Sequence, residues 1–263
     1  MPYYHNYFIR HTSGSNFAPE IALLQCLCRT KINKQKMKLA ALGDSIIRGV
    51  ILKAEGLRER YTLSDKNIVD RCGEGLHSDV INLGKMGCTI EAGERILDKS
   101  IDRLEGAKYV LLEYGGNDSD YDWRAIAQSP HEVHESRTPL HTYETIYERV
   151  INKVRQTGCT PIILSLPPMD AERYFRFFTT GMSDEQKGNI LRWLSGSTNT
   201  IMSGHELYNV ATWKVAQRTG TQWIDITSDL LLGHQYRRYL CDDGIHPNEL
   251  GQARIADMIL QAI

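Results

Sequence analysis

The run Lys38-Leu39-Ala40-Ala41-Leu42-Gly43-Asp44-Ser45 decides how the rest of the chain is read. Lys38 to Leu42 is short and almost continuously apolar, as a strand buried on both faces must be, and Gly43 breaks it. Ser45 follows, with Ile46, Ile47 and Val50 behind it. The pattern predicts a strand, a tight turn and a helix start, with the serine hydroxyl exposed at the turn. The same alternation continues outward from there. Apolar runs at Asp79 to Leu83, Ala107 to Glu113, Pro161 to Leu166 and Gln222 to Ile226 predict further strands. Segments of helical period lie between them at Glu91 to Leu104, Leu140 to Gln156 and His205 to Arg218, each ending near a glycine (Gly106, Gly158, Gly220) suited to a C-terminal cap. Pro247-Asn248 introduces a last helix, Glu249 to Ala262. The expected architecture is one α/β domain, a three-layer α/β/α sandwich with a five-stranded parallel sheet in flavodoxin-like order.

Composition narrows the function classes. The chain has 263 residues, 41% hydrophobic and 24% charged, enough for a substantial core and unlike disordered or collagen-like sequences. Lys+Arg 31 against Asp+Glu 32 leaves a net charge of −1, so no positive field exists to gather nucleic acid or an anionic membrane. A small-molecule or neutral partner is expected. Cys26, Cys28, Cys72, Cys88, Cys159 and Cys241 are scattered, which fits reduced, packed thiols better than a disulfide framework or a zinc site. No run approaches the roughly 18 to 20 apolar residues of a membrane span, and a cytoplasmic protein is expected. Residues 1–36 differ in kind: Arg10, Arg29, Lys31, Lys34 and Lys36 stand against Glu20. Pro19-Glu20 interrupts the place where a secretory signal's apolar region should begin, and no small-residue cleavage site follows. These residues read as an N-terminal extension, disordered or a misassigned start, before a domain spanning residues 37–263.

In open parallel sheets, ligands bind beyond the carboxyl ends of the strands. Four segments stand there: Gly43 to Ser45, Gly84 to Thr89, Gly115 to Asp118, and Cys241 to Asn248. A helix-capping serine would explain the first alone, and as a nucleophile Ser45 needs a base. The fourth supplies one. Asp243 precedes His246 by three residues, with Gly244 permitting a turn, so the carboxylate can hold one imidazole nitrogen and leave the other for the serine. Asp242 is the adjacent alternative, but its side chain should point elsewhere; the whole segment also reads as a helix start capped by Asn248 with a surface histidine. An ester further needs donors at the oxygen that becomes negative. Gly87 and Ser45 can offer backbone N–H groups and Asn117 its side-chain amide. Each glycine alone would be turn punctuation. Their occurrence together, in this order at successive strand ends, points to a hydrolase site.

GDSI at 43–46, NLGKMGCT at 82–89, GGND at 115–118 and DGIHPN at 243–248 resemble the four blocks of the SGNH (GDSL-like) hydrolase family. The resemblance spans Lys38 to Ile263, with Ile46 in place of the leucine of the GDSL name. It implies Ser45 as nucleophile, Gly87 and Asn117 as oxyanion-hole donors with the Ser45 N–H, and His246 with Asp243 as base and orienting acid. It also implies serine esterase chemistry without metal or organic cofactor. The G-x-S-x-G elbow of the α/β-hydrolases is absent from the sequence.

Substrate choice is expected from the segments between the blocks. Asp120, Tyr121 and Trp123, just after Asn117, are expected to wall the cleft, a polar and aromatic mixture suited to a sugar ring or to plain loop packing. Short-chain or carbohydrate O-acetyl esters are therefore the first expectation, with longer acyl chains (lysophospholipase or acyl-CoA thioesterase chemistry) as the alternative. An inactive flavodoxin-like binding module is the alternative of another class. Tyr174, Phe175, Phe177 and Phe178, within the insertion Pro167 to Ser203, can line an acyl pocket, form a lid, dock another subunit or pack as core. His131, His134 and His141 lack the spacing of a H-E-x-x-H metal site, and Cys88 reads as a small buried residue behind the glycine loop.

Overall fold

The computed structural model describes residues 37–55 and 58–263. The expectation for residues 1–36 lies outside the described residues. In chain order the elements are β1 (Lys38–Gly43), α1 (Ser45–Arg48), β2 (Val50–Glu55), β3 (Arg58–Leu63), α2 (Ile68–Gly75), β4 (Asp79–Asn82), α3 (Ile90–Ser100) and β5 (Ala107–Glu113). They continue as α4 (Trp123–Gln128), α5 (Leu140–Gln156), β6 (Thr160–Leu164), α6 (Ala171–Phe178), α7 (Asp184–Trp193), α8 (Asn199–Thr219), β7 (Gln222–Ile224), α9 (Thr227–Leu231) and α10 (Glu249–Ala262).

Five strands form one parallel sheet in the order β4-β1-β5-β6-β7, the flavodoxin-like order expected from the sequence. Strand side chains alternate between faces, and β1 shows why its run had to be apolar throughout. Ala40 and Leu42 join Val110, Leu112 and Ile163 against Leu97 of α3, Tyr147 of α5 and Val215 of α8. Leu39 and Ala41 join Leu111 and Ile162 on the other face, against Ile47 of α1, Ile68 of α2 and Ile259 of α10. Full burial of each leucine, isoleucine and valine side chain among these contributes about 1.5–3 kcal/mol.

Two regions depart from the sequence expectations. After α1 the chain turns into the antiparallel hairpin β2–β3 rather than continuing as helix, with Val50 paired to Leu63. The insertion after β6 forms α6, α7 and the first turns of α8, which begins at Asn199 rather than His205. Met169, Ala171, Ile190, Leu194 and Ile201 pack there against Trp123 and Ile126 of α4, a third apolar cluster at the carboxyl edge of the sheet. Among the described residues no helix is long and apolar enough to cross a membrane.

Candidate active site

Ser45 opens α1 directly beyond β1 and, in place of the exposed position expected from the turn, is buried along the wall of a cavity. Asp44 caps that single turn, its Oδ1 accepting from the Ile46 N–H at 2.8 Å. Gly43 permits the sharp exit: a Cβ there would lie 2.4 Å from Ile47 Cγ1 and 2.7 Å from the Glu113 carbonyl oxygen. The turn is thus wedged between α1 and β5, and the hydroxyl position follows from backbone packing.

The loop at 241–248 brings the histidine to it. Leu240 pairs with Pro247, and Cys241 N–H donates to the His246 carbonyl at 2.8 Å, closing a tight loop around Asp243. Gly244 takes φ +79°, and a Cβ there would stand 2.6 Å from the Asp170 carbonyl oxygen. Asp170 N–H donates to the Gly244 carbonyl at 2.8 Å, so the start of α6 buttresses the loop. Asp243 is fully buried. Its Oδ1 accepts from the N–H groups of Ile245 (3.0 Å) and His246 (3.1 Å), and its Oδ2 lies 2.6 Å from His246 Nδ1. The second ring nitrogen, Nε2, lies 2.9 Å from Ser45 Oγ. Burial alone would push the Asp243 carboxyl up; the His246 hydrogen bond and charge, with the two backbone donors, outweigh it and hold the group below the usual carboxylate range. Asp242 is exposed. Asn248 also caps α10, accepting from Leu250 and Gly251 N–H at 3.0 Å each, so the capping and histidine-placing readings of this segment coexist.

Gly87 is exposed, and the space a Cβ would take is open. The Asp118 carboxylate ties its loop to the next block by accepting from Ile90 N–H at 2.9 Å, at the head of α3. Burial pushes the Asp118 carboxyl up to about 7. Asn117 Nδ2 donates to Asp44 Oδ2 at 2.7 Å. Ser45, His246, Gly87 and Asn117 all line one cavity of about 300 Å³, whose walls include Met86, Met169, Phe177, Phe178 and Ile201. Tyr61 of β3 stands edge-on to the His246 ring at 5.1 Å and to Phe177 at 6.0 Å.

Asp120, Tyr121 and Trp123 also line this cavity. The polar atoms of Asp120, however, face its neighbours: Oδ1 accepts from Trp123 Nε1 (2.8 Å) and Tyr174 Oη (2.9 Å), and Oδ2 lies 3.2 Å from Arg137. Trp123 stacks on Phe178 at 4.6 Å, and Tyr121 packs edge-on to Trp193 at 4.9 Å. The insertion's aromatics therefore supply both core and cavity wall. Of the loop histidines, His131 is exposed and His134 Nε2 sits 2.8 Å from the Ser129 carbonyl. Cys88 is buried, and burial pushes its thiol up to about 11, away from the reactive thiolate. Sequence reasoning passed over Glu113, Asp44 and Tyr61. The signal for Glu113 was present as a lone acid directly after the apolar run Val110-Leu111-Leu112.

Comparison with protein families finds that residues 41–254 match the GDSL-like Lipase/Acylhydrolase family. The chain belongs to that family. It is an acyl-hydrolase enzyme by family, and the four sequence blocks all fall within the match. No curated protein matches the sequence. Solved structures do: a lipase/acylhydrolase from Enterococcus faecalis is 18% identical with a TM-score of 0.60, covering 86% of this chain and 94% of that one. A carbohydrate acetylesterase from Sinorhizobium meliloti is 15% identical with a TM-score of 0.57 (86% and 97% covered). An acetyl xylan esterase, AlAXEase, is 20% identical with a TM-score of 0.54 (86% and 100% covered). At such identities the likeness is one of fold. This GDSL-like hydrolase therefore shares its sheet and layer order with esterases, and its own side chains must argue its chemistry.

Proposed function

We propose that this GDSL-like hydrolase is a serine esterase in which Ser45, His246 and Asp243 act as a triad. The observation that carries the reading is the unbroken relay from Asp243 Oδ2 to His246 Nδ1 (2.6 Å) and from Nε2 to Ser45 Oγ (2.9 Å), opening onto the cavity that Gly87 and Asn117 also line. Ser45 Oγ attacks the acyl carbonyl carbon while its proton passes to Nε2. Asp243 keeps the hydrogen on Nδ1 and stabilises the imidazolium. The N–H groups of Ser45 and Gly87 and the Asn117 amide take the oxyanion. Collapse expels the alcohol, which leaves with the proton held on Nε2, and water repeats both steps on the acyl-enzyme. No step calls for a metal or an organic cofactor.

Short-chain esters, carbohydrate O-acetyl esters among them, are the first substrate class in this reading; the acetyl esterases among the fold neighbours support it. A second reading, a longer acyl chain, is favoured by the apolar wall of Met86, Met169, Phe177, Phe178 and Ile201. Rates on p-nitrophenyl acetate, p-nitrophenyl octanoate and acetylated xylan separate the two: faster kcat/KM on the acetyl substrates supports the first, a strong bias to octanoate the second. Ser45→Ala should abolish turnover of all three with the fold intact, and retained turnover would defeat the triad assignment. A domain of residues 37–263 and a cytoplasmic setting belong to the same proposal. The latter is supported by the buried, unpaired thiols of Cys72, Cys88, Cys159 and Cys241.

A further inference from the structure

Beneath the Ser45 turn two carboxyl groups meet. Glu113 ends β5 in register with Gly43 of β1, which sets its side chain beside the Asp44 carboxyl. Both are out of solvent, Asp44 2% and Glu113 1% exposed. Two carboxylates cannot both stay ionised in such a place, so one must hold a proton. The surrounding donors decide which. Each Asp44 oxygen accepts an N–H, Oδ1 from Ile46 at 2.8 Å and Oδ2 from Asn117 Nδ2 at 2.7 Å, and such donors favour the charged form. The Glu113 carboxyl has only the Asp44 backbone N–H in its favour and its Oε2 accepts from no donor, so a charge there would be buried and half-satisfied beside a like charge.

We propose that Glu113 is a neutral carboxylic acid that donates its hydrogen bond to Asp44 and, through Asp44, holds the Asn117 amide in the orientation an oxyanion donor needs. It is a positioning residue, and the inference rests on the reading of Asn117 given above. One Nδ2 hydrogen of Asn117 is spent on Asp44, which leaves the other for the cavity. An ionised Glu113 would repel Asp44 and loosen that anchor. Desolvation and the Asp44 charge push the Glu113 carboxyl well above its ordinary value, in the same direction. The titratable groups around the pair are Asp118, His246, the Cys88 thiol and the phenols of Tyr114, Tyr143 and Tyr147.

The test compares Glu113→Ala and Glu113→Gln on p-nitrophenyl acetate and adds a native-minus-E113Q difference infrared spectrum at pH 7. E113A should lower kcat by about tenfold to hundredfold, with KM within about threefold of native, because only the transition state uses the oriented amide. E113Q presents a neutral N–H to Asp44 and should recover kcat to within about threefold of native. The infrared difference should show the carbonyl band of a neutral carboxylic acid in the native protein. Undiminished kcat in E113A, an E113Q as slow as E113A, or the absence of that band would each overturn the proposal. The infrared result does not depend on activity. A native protein that shows the band but no Ser45-dependent turnover would fail the esterase reading, and the positioning role with it.

Discussion

Asp243→Asn changes one atom at the centre of the site. The Asn Oδ1 can still accept from the Ile245 and His246 N–H groups at 3.0 and 3.1 Å, so the loop backbone is held as before. The change falls on Oδ2, 2.6 Å from His246 Nδ1, where an N–H donor replaces an acceptor. The neutral ring must then accept at Nδ1 and carry its hydrogen on Nε2, the atom 2.9 Å from Ser45 Oγ that has to take the serine's proton. The corresponding exchange in other Ser-His-Asp sites costs about 10⁴ in kcat, or about 5.4 kcal/mol of transition-state stabilisation. The assay is kcat on p-nitrophenyl acetate from pH 6 to 9, with thermal unfolding as the check on the fold. A second readout follows from linkage. Because the folded Asp243 carboxyl lies below its ordinary value, its stabilising contribution is present above the unfolded carboxylate pKa and is lost as pH falls through the lower folded value. The stability gap between native and D243N should therefore close on acidification. A D243N kcat within about tenfold of native would refute the tautomer argument.

Two further predictions concern the scaffold. Asp118, with a folded pKa raised to about 7, contributes stability that is full below the ordinary carboxylate pKa and is lost as pH rises through about 7; the upper bound is about 4 kcal/mol. Asp118→Asn keeps an acceptor for Ile90 N–H but cannot ionise, so its Tm relative to native should rise between pH 5 and pH 8, and an unchanged difference would contradict the burial argument. Gly244→Ala puts a methyl against the Asp170 carbonyl at a position of φ +79°. It should cost at least about 1–2 kcal/mol of stability and lower kcat by shifting the His246 loop away from α6; native-like values for both would show that the loop relaxes freely.

How legible the fold was depended on where the determining contacts lie. The strands β1 and β5 announce themselves because burial on both faces demands nearly continuous apolar runs, Leu39 to Leu42 and Val110 to Leu112. The hairpin β2–β3 hides behind Ile46, Ile47 and Val50, which read as a continuing helix; its charged residues Lys53 and Arg60 blur the alternation that would mark a strand. The meeting of Ser45, Asp243 and His246 was readable because loop chemistry at short spacing limits where their side chains can go. The use of Asp120 was not, since its partner Tyr174 comes from an insertion more than fifty positions away. The Asp44–Glu113 contact likewise needs the β1–β5 register, which no local pattern states.

The most direct test of the central claim is labelling by a fluorophosphonate, which reacts only with an activated serine hydroxyl. Native protein should be modified at Ser45, as located by peptide mass spectrometry, while heat-denatured protein and Ser45→Ala should remain unlabelled. Native protein that fails to label, or labelling that persists unchanged in Ser45→Ala, would contradict the account and favour a flavodoxin-like binding module that keeps the loops without the chemistry.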